Sequence, residues 1–227
     1  MLAKKAFSKK VLFGSLAAVA VVAAALVSYR VFGWGAMGPV NSLKLDLSRP
    51  DALVVTKSLS TLPRDLPLLL ALHHPIYSAD DHHSGSTYMK DLVAQACAEA
   101  GRHPDAILAG HVHNYQRLTR ANGDGGKTLF LVTGAGGYHN LHQIMKVNGQ
   151  RLIPPAVFHD SGGDAVTLEN YSDDHHGFLR VELSDGVMQG QYYEVPRPQE
   201  PFSKGSHLLD HFRFDFRQKA YLPNTPS

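Results

Sequence analysis

Residues 66–74 read LPLLLALHH. A continuous apolar run bounded by Pro67 and by His73-His74-Pro75 suits a strand buried on both faces. A second short run, DAILAG at 105–110, has the same character and also leads into histidines. Between the two, Met89, Leu92, Val93, Ala96, Cys97 and Ala100 recur at helical spacing. Ser84 or Ser86 stands where an N-cap belongs, and Gly101 closes the pattern. Residues 66–110 therefore predict a β-α-β unit with a right-handed crossover and parallel strands.

Downstream the pattern turns to β. YQRLTR, a turn at 122–126 and KTLFLVTGAGG read as a hairpin; GFLRVEL, a Ser184-Asp185-Gly186 turn and VMQGQYYEV read as another; HFRFDF at 211–216 alternates once more. Upstream, residues 11–29 run uncharged and almost wholly apolar for nineteen residues, about 28 Å as a helix. Four Lys precede the run and Arg30 follows it. This polarity predicts a single-pass anchor with the body outside the cytoplasm, or a secreted body if the segment is a cleaved signal peptide. Residues 1–34 are expected to form the tail and transmembrane helix, 35–50 a linker, 51–216 the domain and 217–227 a tail.

Charge narrows the function classes. The chain carries 22 basic and 20 acidic side chains, but five of the basic ones lie in the first 34 residues, which hold no acid. The other residues are net −3, a balance that offers no electrostatic footprint for nucleic acid. With Cys97 the only cysteine, neither an internal disulfide nor a Cys-based zinc site is available. Histidine is abundant, at fourteen residues, and imidazole is the commonest metal ligand. In a β-α-β unit ligands gather beyond the carboxyl ends of the strands. His73 and His74 leave one such end, and His111 and His113 leave the other. Parallel neighbours lie about 4.8 Å apart, so these side chains can meet at a metal ion.

Three stretches, LALHHPIYSADDHH at 70–83, GHVHNYQR at 110–117 and FLVTGAGGYHNLH at 130–142, are similar in order and spacing to the calcineurin-like metallophosphoesterases. Within them the chain most resembles the purple acid phosphatases, over roughly 51–216. The resemblance implies an α/β domain, a partial metallophosphoesterase β-sandwich flanked by helices. It implies His73 and His111 as ligands of one metal and His113 as a ligand of another, the metals being Fe, Zn or Mn. It makes His82 and His83 outer residues that hold substrate phosphate or protonate the leaving group, and it puts His74 at a variable position. The implied activity is hydrolysis of a phosphate ester. The family's earlier motifs, Asp-x-His, Gly-Asp-x-x-Asp and Gly-Asn-His, do not stand before His73. The expected alternatives are a domain completed by a separate chain that supplies the missing half, and a catalytically inactive membrane-tethered remnant or binding module.

ANGDGGKT at 121–128 satisfies a relaxed phosphate-loop pattern, but Lys127 opens a strand and not a helix, so the segment reads as a hairpin turn. The glycines at 134, 136 and 137 read as a tight bend that brings Tyr138 and His139 near the site. Asp173-Asp174 and His175-His176 read as a solvated loop before a strand.

Overall fold

The computed structural model describes residues 59–197 and 199–224. Strand β1 (Leu69–Leu72) leads through helix α1 (Thr87–Ala100) to β2 (Ala106–Ala109), and the two strands pair in parallel with Leu72 opposite Ala109. Ser86 caps α1 by accepting from the Met89 amide, and Gly101 ends it in the left-handed conformation at φ 59°. β3 (Tyr115–Ala121) and β4 (Lys127–Thr133) form a hairpin, followed by β5 (Lys146–Val147), β6 (Gln150–Arg151), β7 (Ala156–His159) and β8 (Ala165–Ser172). One sheet has the order β1-β2-β4-β3-β8-β7. The second contains β9 (Gly177–Ser184), β10 (Val187–Glu194), β11 (His207–Asp215) and β12 (Ala220–Leu222), in the order β12-β11-β10-β9.

The twofold alternation of a strand divides the core in two. Along β4, Phe130 and Val132 face a cluster that includes Met89, Leu92, Val93, Ala96 and Cys97 of α1. Leu129 and Leu131 face the opposite way and meet Met188, Phe212 and Phe214 of the second sheet and Phe216 just after β11. The larger sheet is therefore covered by a helix on one side and by the smaller sheet on the other.

These observations correct the expected fold class. The described residues are mostly β-strand, and α1 is the one long helix among them, so the domain is not an α/β fold flanked by helices. Only the β1–β2 connection needs a crossover helix, because most of the later strands pair antiparallel through short turns. No helix among the described residues is long and apolar enough to cross a membrane, so the transmembrane expectation is not upheld; the run at 11–29 lies outside those residues. β1 also differs from the two-sided burial expected of it. Among the described residues it pairs with β2 alone, and Leu69, Ala71 and Leu72 stay partly exposed. It begins later than the apolar run because Pro67 has no amide to give a ladder. The Leu68 amide instead donates to Asp105 Oδ2 at 2.7 Å.

Candidate metal centre

Because Leu72 and Ala109 are register partners, the segments that follow them leave the sheet side by side. The Gly110 amide donates to the His73 carbonyl at 3.2 Å and holds the two exits together. His111 then adopts φ 61°, a left-handed conformation that few non-glycine residues take. The result is a contact between rings: His111 Nδ1 lies 3.2 Å from His73 Nε2. His74 joins them, with its ring centroid 4.0 Å from that of His111 and 4.8 Å from that of His73. One nitrogen from each of the three lies within 4.8 Å of the others.

The remaining imidazoles continue this group. His83 lies 5.1 Å from His111 and 5.0 Å from His142, ring to ring, and His113 lies 4.7 Å from His142. His113 Nδ1 is 2.8 Å from the Asn140 carbonyl, and its ring meets Tyr138 at 4.4 Å. His82 is the outermost, 5.8 Å from His142 and largely exposed. The bend after β4 does bring Tyr138 and His139 to this side, their rings 4.6 Å apart. Gly134 permits that bend, since a Cβ there would overlap the Val112 carbonyl between His111 and His113.

A buried polar network lies beneath these rings. Asp80 Oδ2 accepts from the amides of His82 and His83 at 3.1 and 2.7 Å and so fixes the turn that carries both side chains. Asn114 Nδ2 donates to Asp80 Oδ1 and to the His142 carbonyl, both at 3.1 Å. Gln116 Nε2 donates to Asn114 Oδ1 at 2.9 Å and to Ser78 Oγ at 3.2 Å, while its carbonyl oxygen accepts from the Ala79 amide. His142 is buried, with Nδ1 3.4 Å from Asp80 Oδ2 but outside hydrogen-bonding geometry.

Electrostatics favour neutral rings at the centre. Burial, and then the neighbouring His73 and His83, push His74 down to about 4; burial and the surrounding imidazoles push His111 to about 4 as well. His142 is lowered by burial, with Asp80 opposing the shift. An imidazole must be neutral to ligate a metal, and His74 and His111 are in that form at neutral pH.

The structure thus brings His73, His111, His83 and His113 into one connected group, with His82 at its edge. His74 is expected near an ion from its place at the strand end, although the family resemblance gives it no ligand role, and His142 has no role assigned from sequence. His74 follows His73 directly, and adjacent side chains would diverge in a strand; the bend that begins after Leu72 lets both face His111. His142 closes the third family-like stretch, but neither spacing nor the resemblance gives it a role. A second group, Asp174, His175 and Glu194, could also hold an ion. The segment before it is less solvated than expected: Asp173 is buried, accepts from the Ile144 amide at 2.8 Å and pairs with Arg151. The Asn122–Gly126 turn is a hairpin turn, closed by the Asn122 amide on the Gly126 carbonyl at 2.7 Å.

The structure is similar to that of a purple acid phosphatase, PPD1, isolated from seeds of yellow lupin (Lupinus luteus), with a TM-score of 0.53 and 17% identity over 81% of this chain and 33% of that one. The fold is purple-acid-phosphatase-like. The chain spans about a third of the lupin protein's length. A lower similarity links it to GAP50, the anchor in the inner membrane complex of Plasmodium, with a TM-score of 0.40 and 18% identity over 70% of this chain and 41% of that one. The profile of a family described as an uncharacterized protein conserved in bacteria, DUF2138, matches residues 9–82. No curated protein matches the sequence.

Proposed function

We propose that this chain is a metal-dependent phosphoesterase, hydrolysing phosphate esters in the manner of an acid phosphatase. The observation that carries this reading is the gathering of His73, His74, His83, His111, His113 and His142 beyond the carboxyl ends of β1 and β2. The donor set suits a metal: three imidazole nitrogens converge, and His74 and His111 are neutral. When bound, such an ion supplies Lewis-acid stabilisation of charge on the phosphoryl oxygens.

The chain's own residues have separable tasks in this reading. His73 and His111 would hold the ion, as the family resemblance implies. His113, oriented by the Asn140 carbonyl, packs beside Tyr138 and His142. His82 and His83 sit on the turn fixed by Asp80, where an imidazole can bind a phosphate oxygen or donate a proton to the departing alkoxide. Asp80 and Asn114 are positioning residues, since their polar atoms are used within the protein.

A second reading, an inactive remnant or binding module, is favoured by one observation. Among the described residues, no carboxylate belongs to the His73–His74–His111 group, whereas a paired-ion centre relies on negative charge between its two cations. Hydrolysis of p-nitrophenyl phosphate by the full chain with Zn, Mn or Fe separates the two. The phosphoesterase reading expects turnover that His113→Ala and His83→Ala each lower by about 10²-fold or more. Metal-independent turnover, or a rate equal to that of a His73→Ala, His111→Ala, His113→Ala variant, would reject it.

A further inference from the structure

The family resemblance leaves His74 at a variable position and pairs His113 with a second metal. The geometry divides these residues differently. His73 Nε2 and His111 Nδ1 are 3.2 Å apart and share a hydrogen bond that a bound ion would replace. Two nitrogens bound to one tetrahedral ion at the usual zinc–nitrogen bond length lie about 3.3 Å from each other, so this pair already has the spacing of neighbouring ligands. A nitrogen of His74 lies within 4.8 Å of both. His113 is not in that group, and its Nδ1 faces the Asn140 carbonyl at 2.8 Å.

We propose that His73, His74 and His111 form a three-imidazole site for a single divalent transition-metal ion, with His74 as the third protein ligand. Three imidazole donors bring no negative charge and would leave an ion's positive charge uncompensated. Three protein ligands would also be fewer than the four of a closed structural zinc site. Such a centre favours zinc or cobalt over magnesium or calcium, which prefer oxygen donors. The Asp174–His175–Glu194 group, richer in oxygen donors, supplies a built-in contrast.

The test uses the full chain loaded with less than one equivalent of zinc, so that the tightest site fills first. X-ray absorption at the zinc edge is expected to show three imidazoles around one ion. Equilibrium dialysis is expected to show affinity falling at least about tenfold in His74→Ala and in His111→Ala. His113→Ala and His175→Ala are expected to stay within about twofold of wild type, well inside that threshold. Circular dichroism confirms that each variant is folded, and the wild-type absorption spectrum decides the ligand set even if a variant is not. A carboxylate-dominated zinc environment, no zinc binding, or an affinity lost in His113→Ala but kept in His74→Ala would each overturn the assignment. The site stands apart from the proposed activity: zinc held by three imidazoles without hydrolysis of p-nitrophenyl phosphate would defeat the phosphoesterase reading and leave the site intact.

Discussion

Asn114 Nδ2 donates to Asp80 Oδ1 at 3.1 Å, with Asn114 wholly buried and Asp80 nearly so. This bond joins the loop after β2 to the loop that carries His82 and His83. Asp80→Ala removes the acceptor for both histidine amides and for Asn114, and is expected to cost about 2–3 kcal/mol. Asp80→Asn keeps one carbonyl oxygen and should cost less. Urea unfolding midpoints of the two variants check the order, and equal stability of both with wild type would count against the network.

Asp210 is expected to tie folding to pH. It is buried, accepts from Tyr115 Oη at 2.7 Å and receives Arg117 through two bonds of 2.7 and 3.0 Å. Burial alone would raise its carboxyl, but Arg117 and Tyr115 outweigh that and hold it below the ordinary value of 3.8. A depressed acid adds stability that is complete above its unfolded value and is lost as pH falls through the folded one. Asp210→Ala should therefore cost about 3–5 kcal/mol near neutrality, because it leaves Arg117 buried without a counter-charge. Its unfolding midpoint should also fall less steeply than that of wild type below about pH 4. Parallel slopes in the two proteins would exclude Asp210 as a source of the acid sensitivity.

Gly134 and Gly136 lie two residues apart and should respond differently to alanine. A Cβ at 134 would overlap the Val112 backbone, whereas one at 136 meets nothing within 4 Å. Gly134→Ala is expected to lower stability by about 1–3 kcal/mol and to shift the NMR resonances of His111 and His113. Gly136→Ala should leave both measurements within error. A silent Gly134→Ala would mean that the close approach does not shape the site.

Phe214 is fully buried between the sheets, edge-to-face with Tyr221 at 5.3 Å. Truncation to alanine there should cost about 3–5 kcal/mol. Phe178, half-exposed and stacked on Tyr193, should cost well under half as much when truncated. Thermal denaturation of the two variants provides the comparison, and similar losses would contradict the placement of the core.

Some features were legible without a structure because the chain states them locally. Apolar spacing and a serine cap define α1, and Met89, Leu92, Val93, Ala96, Cys97 and Ala100 are all buried as that spacing requires. Alternation and turn residues mark β3, β4, β9 and β10, and the turn at Asp185–Gly186 does take positive φ at both positions. Strands β7 and β8 escaped notice because AVFH is short and the alternation of AVTLENYS is brief: Val166 and Leu168 are buried with Thr167 between them, but the pattern breaks at Glu169–Tyr171, where the pairing with β3 shifts register. β12, three residues long, carries too few positions to show a period.

The positions of His73, His111 and His113 at the ends of two strands followed from sequence, since a buried run and the residue after it are contiguous in the chain. Which imidazoles share one centre was decided by tertiary structure. His142 reaches His83 and Asp80 across 59 and 62 residues, and Asn114 reaches Asp80 across 34. His74 joins His111 only because the parallel register of β1 and β2 delivers both loops to the same edge and the left-handed turn at His111 aims its ring inward. Periodicity reports which face a residue presents to its own element, whereas the convergence of separate loops depends on how the elements pack, and no local pattern encodes that.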